Sequence, residues 1–304
     1  MSPDSFLPGN KGKLTIVRVH APSSLPLSLA KECAERFFQM PEAWEEESLS
    51  AMLKPFHAGS QVGSIPKCVQ KLCRLLIEYI NFSRSFREEG IRTEFLDAVG
   101  DVILRAFLKK ADWRANSYNA YGESFKGQAV DAVLMCLSSV ALVEEILDAC
   151  MHCPQTARVK IFERYAKEAE YQSKTWAVKV SKTLYKDTER AVHMLGRALE
   201  RAEADSPPAF DEEGMEFSNT LDAVGFELEG IKARLPSDVF RFIWTSVAAS
   251  LNAAMAQELG PLANTGGTQA RVYRDCSAKI IDLFKGFTVR PKAYFKAMLC
   301  ALDA

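Results

Sequence analysis

An all-α fold, an elongated bundle of helices, is predicted by two observations. From Leu27 onward apolar residues recur at three- and four-residue steps, the repeat of one helix face, and no run alternates with period two for long. At 304 residues the chain is too long for one small core and suits either two domains or one helical stack. Apolar residues make up 48% and charged residues 25%, a globular balance that excludes wholesale disorder. A formal net charge of -1 supplies no overall attraction for phosphate backbones, so nucleic acid is not expected as the main partner.

Residues 1–26 hold four prolines and one β-like run, "LTIVRV", and read as an extended lead-in. Residues 27–202 follow as a helical bundle. In "GSIPKCVQKLCRLLIEYINFSRSF" Ser64 is placed to cap a helix with Pro66 in its first turn. Val69, Leu72, Leu76, Tyr79 and Phe86 then fall along one side. "IRTEFLDAVGDVILRAFLKK" repeats the pattern through Phe95, Leu96, Val99, Val102, Ile103, Ala106 and Phe107. "QAVDAVLMCLSSVALVEEILDAC" is apolar around most of its circumference, which predicts a helix in the middle of the stack. A long helical segment covers about Arg158 to Glu203.

At 203–214, "EADSPPAFDEEG", a proline pair and clustered acids cannot continue a helix, and an acidic linker is placed there. A second bundle spans 215–304. Its first helix carries a seam at Phe217, Leu221, Val224, Leu228, Ile231 and Leu235. The next starts at Ser237 or Asp238 and is expected to stop at Gly260-Pro261. No apolar run approaches the ~18–20 residues of a membrane span, and the start lacks the basic-then-apolar plan of a signal peptide. A cytoplasmic protein is therefore expected, and Cys33, Cys68, Cys73, Cys136, Cys276 and Cys300 read as reduced thiols beside apolar neighbours.

Motifs for catalysis are sparse, and no enzyme, metal or cofactor is expected. "CMHCP" at 150–154 offers a CxxC, but a structural zinc site needs four ligands and no second such pair exists. Asp97 and Asp101 share a helix face, as do Glu144 and Asp148, and such pairs can hold Mg²⁺ around a diphosphate. That chemistry wants a denser acidic cluster than this chain offers. A helical metal- or diphosphate-dependent enzyme is the alternative from a different functional class. His20, His57, His152 and His193 lack the neighbours of a nucleophile motif, and "NTGGTQA" lacks the Gly-Lys-Ser/Thr of a phosphate loop.

A charged surface is the stronger physical signal. Lys179, Lys182, Lys186, Arg190, Arg197 and Arg201 follow one another at helical spacing with His193 at the missing step. They form a basic stripe suited to an acidic segment of a partner or an anionic headgroup, softened by Asp187, Glu189 and Glu200. Trp176, Val180, Leu184, Ala191, Leu195 and Ala198 make a separate packing face.

The last segment carries a resemblance. Gly266 and Gly267 with Gln269 nearby, Asp275, then Leu283-Phe284, then Arg290-Pro291 and Tyr294-Phe295-Lys296 follow in order. This resembles the C-terminal signature of the RINT/TIP family of vesicle-tethering subunits, which includes the plant MAIGO-type proteins. "VFRFIWTSVAASLNAAM", "IPKCVQKLCRLLIEYINFSRSF" and "RTEFLDAV" are similar to other helices of that family, so the likeness runs from about residue 64 to the end. Two features depart from it. The interval from the glycine pair to the Asp is a residue longer, and the chain is much shorter than family members, without their N-terminal coiled-coil arm.

The resemblance implies a rod of the CATCHR tethering type that acts in Golgi-to-endoplasmic-reticulum retrograde transport. Its partners would be other tethering-complex subunits, endoplasmic reticulum SNAREs and the COPI vesicle coat. The protein would sit peripherally on the endoplasmic reticulum membrane through those partners. The alternative within the same class is a subunit of a related helical-rod tether such as the exocyst. Independently of any family, Pro291 is expected to stop one helix and start another that docks through Tyr294, Phe295, Met298 and Leu299. The signature is therefore read as structural.

Overall fold

The computed structural model describes residues 4–9, 13–18, 36–48, 64–117, 128–153, 156–201, 210–263 and 267–303. Cys33, His20, His57 and Gly266 lie outside them. The described chain is an all-α bundle with two short antiparallel strand pairs. Strands β1 (Asp4–Gly9) and β2 (Lys13–Arg18) pair from Asp4 with Arg18 to Gly9 with Lys13, so the β-like run falls in β2 as far as Arg18, and Val19 lies outside the described residues. Strands β3 (Glu46–Ser48) and β4 (Ser64–Pro66) form the second pair.

The expectation that Ser64 caps a helix is corrected by this second pair. Ser64 is opposite Ser48 in the ladder, and Pro66 sits in extended conformation just before the first helical residue, with no side-chain cap. The amide of Lys67 instead donates to the Glu45 carbonyl at 3.0 Å. A proline cannot use an amide of its own, so the helix begins cleanly after it.

The helices are α1 (Lys67–Ser83), α2 (Glu89–Ser117), α3 (Gln128–Met151), α4 (Lys160–Arg201), α5 (Phe210–Lys232), α6 (Ser237–Ala254), α7 (Gly260–Ala263), α8 (Gly267–Phe284) and α9 (Lys296–Asp303). They fall into two compact units. The first is Met1–Trp176 with Ala233–Val239, and the second is Ala177–Lys232 with Phe240–Ala304. This division lies within α4, whereas the sequence places a linker at 203–214. Nothing in α4 breaks a helix near residue 176, since the segment from Lys160 to Arg201 holds no proline and its one glycine is Gly196. Residues 202–209 lie outside the described ones, and α5 already begins at Phe210, two residues beyond Pro208.

In the first unit α1, α2 and α3 pack against one another. Phe38, Trp44 and Phe107 are all buried; the Phe107 ring lies 5.7 Å from Phe38 and 6.1 Å from Trp44, edge-on to the first and stacked on the second. The Trp44 indole N–H donates to the Phe38 carbonyl at 3.0 Å, so its polar end is satisfied inside the core. Helix α3 is buried on most sides from Ala132 to Leu147, as its continuous apolarity predicts. Asp97 of α2 accepts the Ile161 amide at 3.0 Å and caps the start of α4 in place of Val159, which has no acceptor side chain.

The second unit is built around α6. Phe240, Ile243, Trp244, Val247 and Leu251 form its buried face. The helix is not stopped by Gly260-Pro261. It passes through a π turn, Met255–Leu259, and continues as α7. Pro261 has no amide proton and its ring would crowd the carbonyl four residues back; a wider turn immediately before it relieves both problems. The span Ser237–Leu259 is 23 residues and apolar enough, by length and composition, to cross a membrane, which corrects the expectation that no run is. Ile243, Val247 and Leu251 of this span are fully buried inside the unit, while Phe242 is exposed. The predicted seam is buried throughout, from Phe217 to Leu235.

Among the described cysteines, Cys68, Cys73, Cys136, Cys150, Cys153 and Cys276 are buried thiols, and Cys300 is exposed on α9, contrary to expectation. The exposed position follows from α9 turning Met298 inward, next to the buried Phe295 that precedes it, which leaves Cys300 on the outer side. Burial pushes the Cys136, Cys150 and Cys276 thiols up to about 12, so they stay protonated and unreactive at neutral pH.

Candidate functional site

The C-terminal signature folds into an aromatic lock. Helix α8 opens on Gly267, whose φ of 65° is costly for any residue with a Cβ. The Gln269 side-chain amide donates to the Leu199 carbonyl at 2.7 Å and ties α8 to the end of α4. At the other end Phe284 is fully buried, 5.3 Å from Phe295 and 6.0 Å from Trp244. Pro291 opens a 3₁₀ turn, Pro291–Tyr294, that places the Tyr294 ring 4.9 Å from Trp244, edge to face.

Two residues that are not among those of the C-terminal signature complete the lock. The Tyr273 hydroxyl donates to the Met298 carbonyl at 2.8 Å, and Asn252 accepts the Met298 amide at 2.9 Å. Only their position one turn from a buried apolar face could have hinted at this. The signature thus divides in two. Phe284 and Phe295 are buried, and Leu283, Pro291 and Tyr294 are partly buried. Asp275, Arg290 and Lys296 face solvent.

The basic stripe lies on the part of α4 that belongs to the second unit. Lys182, Lys186, Arg190 and Arg197 are exposed, Lys179 is half-buried, and the Arg201 side chain lies outside the described residues. Val180, Leu184, Ala191 and Leu195 are buried on the opposite side, with Leu199 rather than Ala198 continuing that face. His193 is removed from the stripe as a free group, because its Nδ1 lies 3.2 Å from Glu258.

The acidic pairs separate. Asp101 accepts a hydrogen bond from the Tyr165 hydroxyl at 2.8 Å, pairs with Arg105, and lies 3.5 Å from Arg164. Burial pushes its carboxyl up, but the hydrogen bonds from Arg105 and Tyr165 outweigh that and hold it below the usual range. With Asp97 capping α4, both carboxylates already serve packing. Glu144 and Asp148 instead line a groove of about 380 Å³ in the first unit, with Glu145, Glu163, Glu170, Lys167 and Asp238 around it. Among the described residues no three His, Cys, Asp or Glu side chains converge closely enough to hold a metal ion.

That groove is expected to make folding pH-dependent. Burial, then Glu170 and Asp238, push Glu144 up to about 7, and burial with Asp238 and Glu144 does the same to Glu145. Glu145 keeps much of its surface in water, so Glu144 is expected to dominate. A carboxyl whose folded pKa is raised stabilises the fold fully below its unfolded value, about 4.5, and loses that contribution as pH rises through about 7. The urea midpoint should therefore fall between pH 5 and pH 8, against the usual carboxylate trend, and Glu144→Gln should raise it at pH 8 and flatten the profile. A midpoint that rises over this range in the parent protein would show that the carboxylates are charged and relaxed.

Compared with known proteins, the chain matches no family model and no curated protein.

Proposed function

We propose that this chain is a subunit of a vesicle-tethering complex of the RINT/TIP type, working by binding and not by catalysis. In this reading it serves Golgi-to-endoplasmic-reticulum retrograde transport. It joins other tether subunits and endoplasmic reticulum SNAREs to COPI vesicles as an elongated CATCHR-type rod, held peripherally on the membrane by those partners. One observation carries the proposal: the ordered signature from the glycine pair to Tyr294-Phe295-Lys296, set in a chain whose described residues are mostly helical. The packing of its aromatic members gives their order a physical reason, because Phe284 and Tyr294 both reach Trp244 while Phe295 reaches Phe284.

Proximity labelling with the tagged protein in its native cells tests the reading. Enrichment of endoplasmic reticulum SNAREs and tether subunits is the expected result. Enrichment of exocyst subunits at the plasma membrane would move the protein to the related tether. A profile with neither would overturn the tethering reading.

A further inference from the structure

Helix α4 treats its charges differently along its length. In the first unit it pairs them one turn apart, with Lys167 Nζ 2.7 Å from Glu163 and Lys174 bound to Glu170. In the second unit Lys182, Lys186 and Arg190 stand at four-residue steps, followed by Arg197. All four are exposed, and none makes an ion pair with a described residue. Like charges four residues apart repel along a helix, and an anionic surface laid over the row would relieve that repulsion.

The same unit carries a face of opposite sign. On α5 the side chains of Glu216 and Asp222 are exposed without an ion pair to any described residue, and Glu227 is exposed on the same face. Between these acids lie Met215, 59% exposed, and Phe226, 84% exposed. At helical spacing Glu216 and Glu227 run along one edge of this face and Asp222 along the other. Lys232, the basic residue of α5, is already engaged by Glu229 at 3.2 Å. Lys182, Lys186, Arg190 and Arg197 on the one side and Glu216 and Asp222 on the other are exposed and make no ion pair with a described residue, so these charges do not meet one another within one molecule.

We infer that the cationic row of α4 docks on the acidic, Phe226-centred face of α5 in a second copy of this chain. The footprints match: Lys182 to Arg197 extends about 22 Å and Met215 to Glu227 about 18 Å along their helices. A guanidinium or ammonium laid on the exposed Phe226 ring adds cation-π attraction to the ion pairs with Glu216 and Asp222. A continuous polyanion fits less well, because Asp187, Glu189 and Glu200 are exposed beside the row and would repel it. A bilayer fits less well too, since the one large hydrophobic residue exposed on this part of α4 is Val178, at 37%, which leaves little to insert. Two-fold placement of the contact closes a dimer and any other placement extends a chain, and both raise the mass.

Sedimentation velocity of the full chain tests this. The parent protein should associate at about 50 mM salt and weaken about tenfold or more at about 0.5 M. Lys182→Glu with Lys186→Glu and Arg190→Glu should be monomeric, as should Glu216→Lys with Asp222→Lys. Mixing the two reversed proteins should restore association, because each then supplies the other's complement. Phe226→Ala should weaken the parent association about tenfold. A parent protein that stays monomeric up to about 100 µM at low salt overturns the proposal, since a specific contact of this kind forms well below that range. So does a reversal that leaves association unchanged, or a mixture that remains monomeric. A monomer that binds phosphatidylserine vesicles through the α4 row would assign that row to membrane instead.

Discussion

Phe295→Ala is expected to destabilise the second unit by about 3–5 kcal/mol, the range for truncating a buried Phe where the surroundings cannot collapse into the gap. The ring is fully buried, and its partner Phe284 is fixed in turn by Trp244 and Phe287, at 6.0 Å each. Collapse is blocked further because α9 is tied at its start through Met298, bonded to Tyr273 and Asn252. Urea denaturation followed by circular dichroism measures the loss. Arg290→Ala and Lys296→Ala, at exposed positions, should change the stability by no more than about 0.5 kcal/mol. Equal effects at Phe295 and Lys296 would mean that the aromatic lock does not hold α9.

Phe107→Ala should cost a similar amount, about 3–5 kcal/mol, in the first unit. Phe107 is wedged between Phe38 and Trp44, and the indole of Trp44 cannot swing into the cavity without giving up its bond to the Phe38 carbonyl. The residual void should therefore persist. Hydrogen exchange localises the effect: protection should fall in α1, α2 and α3, which pack on one another, and remain in α6 and α8. Uniform loss across both sets of helices would show that the two units unfold as one.

Much of the helical fold was legible in the chain itself. The steps of three and four from Phe217 to Leu235 name a buried seam, and the apolar run from Val133 to Val143, interrupted by Ser138 and Ser139 alone, names a helix closed in on most sides. Pro291 marks a change of direction because a residue without an amide and with a fixed φ can start a turn but not continue one. The cationic row from Lys182 to Arg197 could be read in order as well, since four-residue steps place side chains on one side of any helix.

Other features depended on contacts distant in sequence. Ser64 looks like a cap until Glu45 and Ser48 supply a strand for it to join, and Gly260-Pro261 looks like a stop until a π turn absorbs the missing amide. Asp97 and Asp101 look like a metal pair until α4 brings Ile161 and Tyr165 to them across more than sixty residues. His193 belongs to the basic stripe by spacing and leaves it because Glu258 lies beside it. Periodicity depends on the geometry of a single helix, so sequence alone determined which faces are apolar and where the basic row runs. Partners for charges, caps and carbonyls come from chain segments that meet only after folding, so tertiary structure alone decided which polar groups are satisfied and which are left to bind something else.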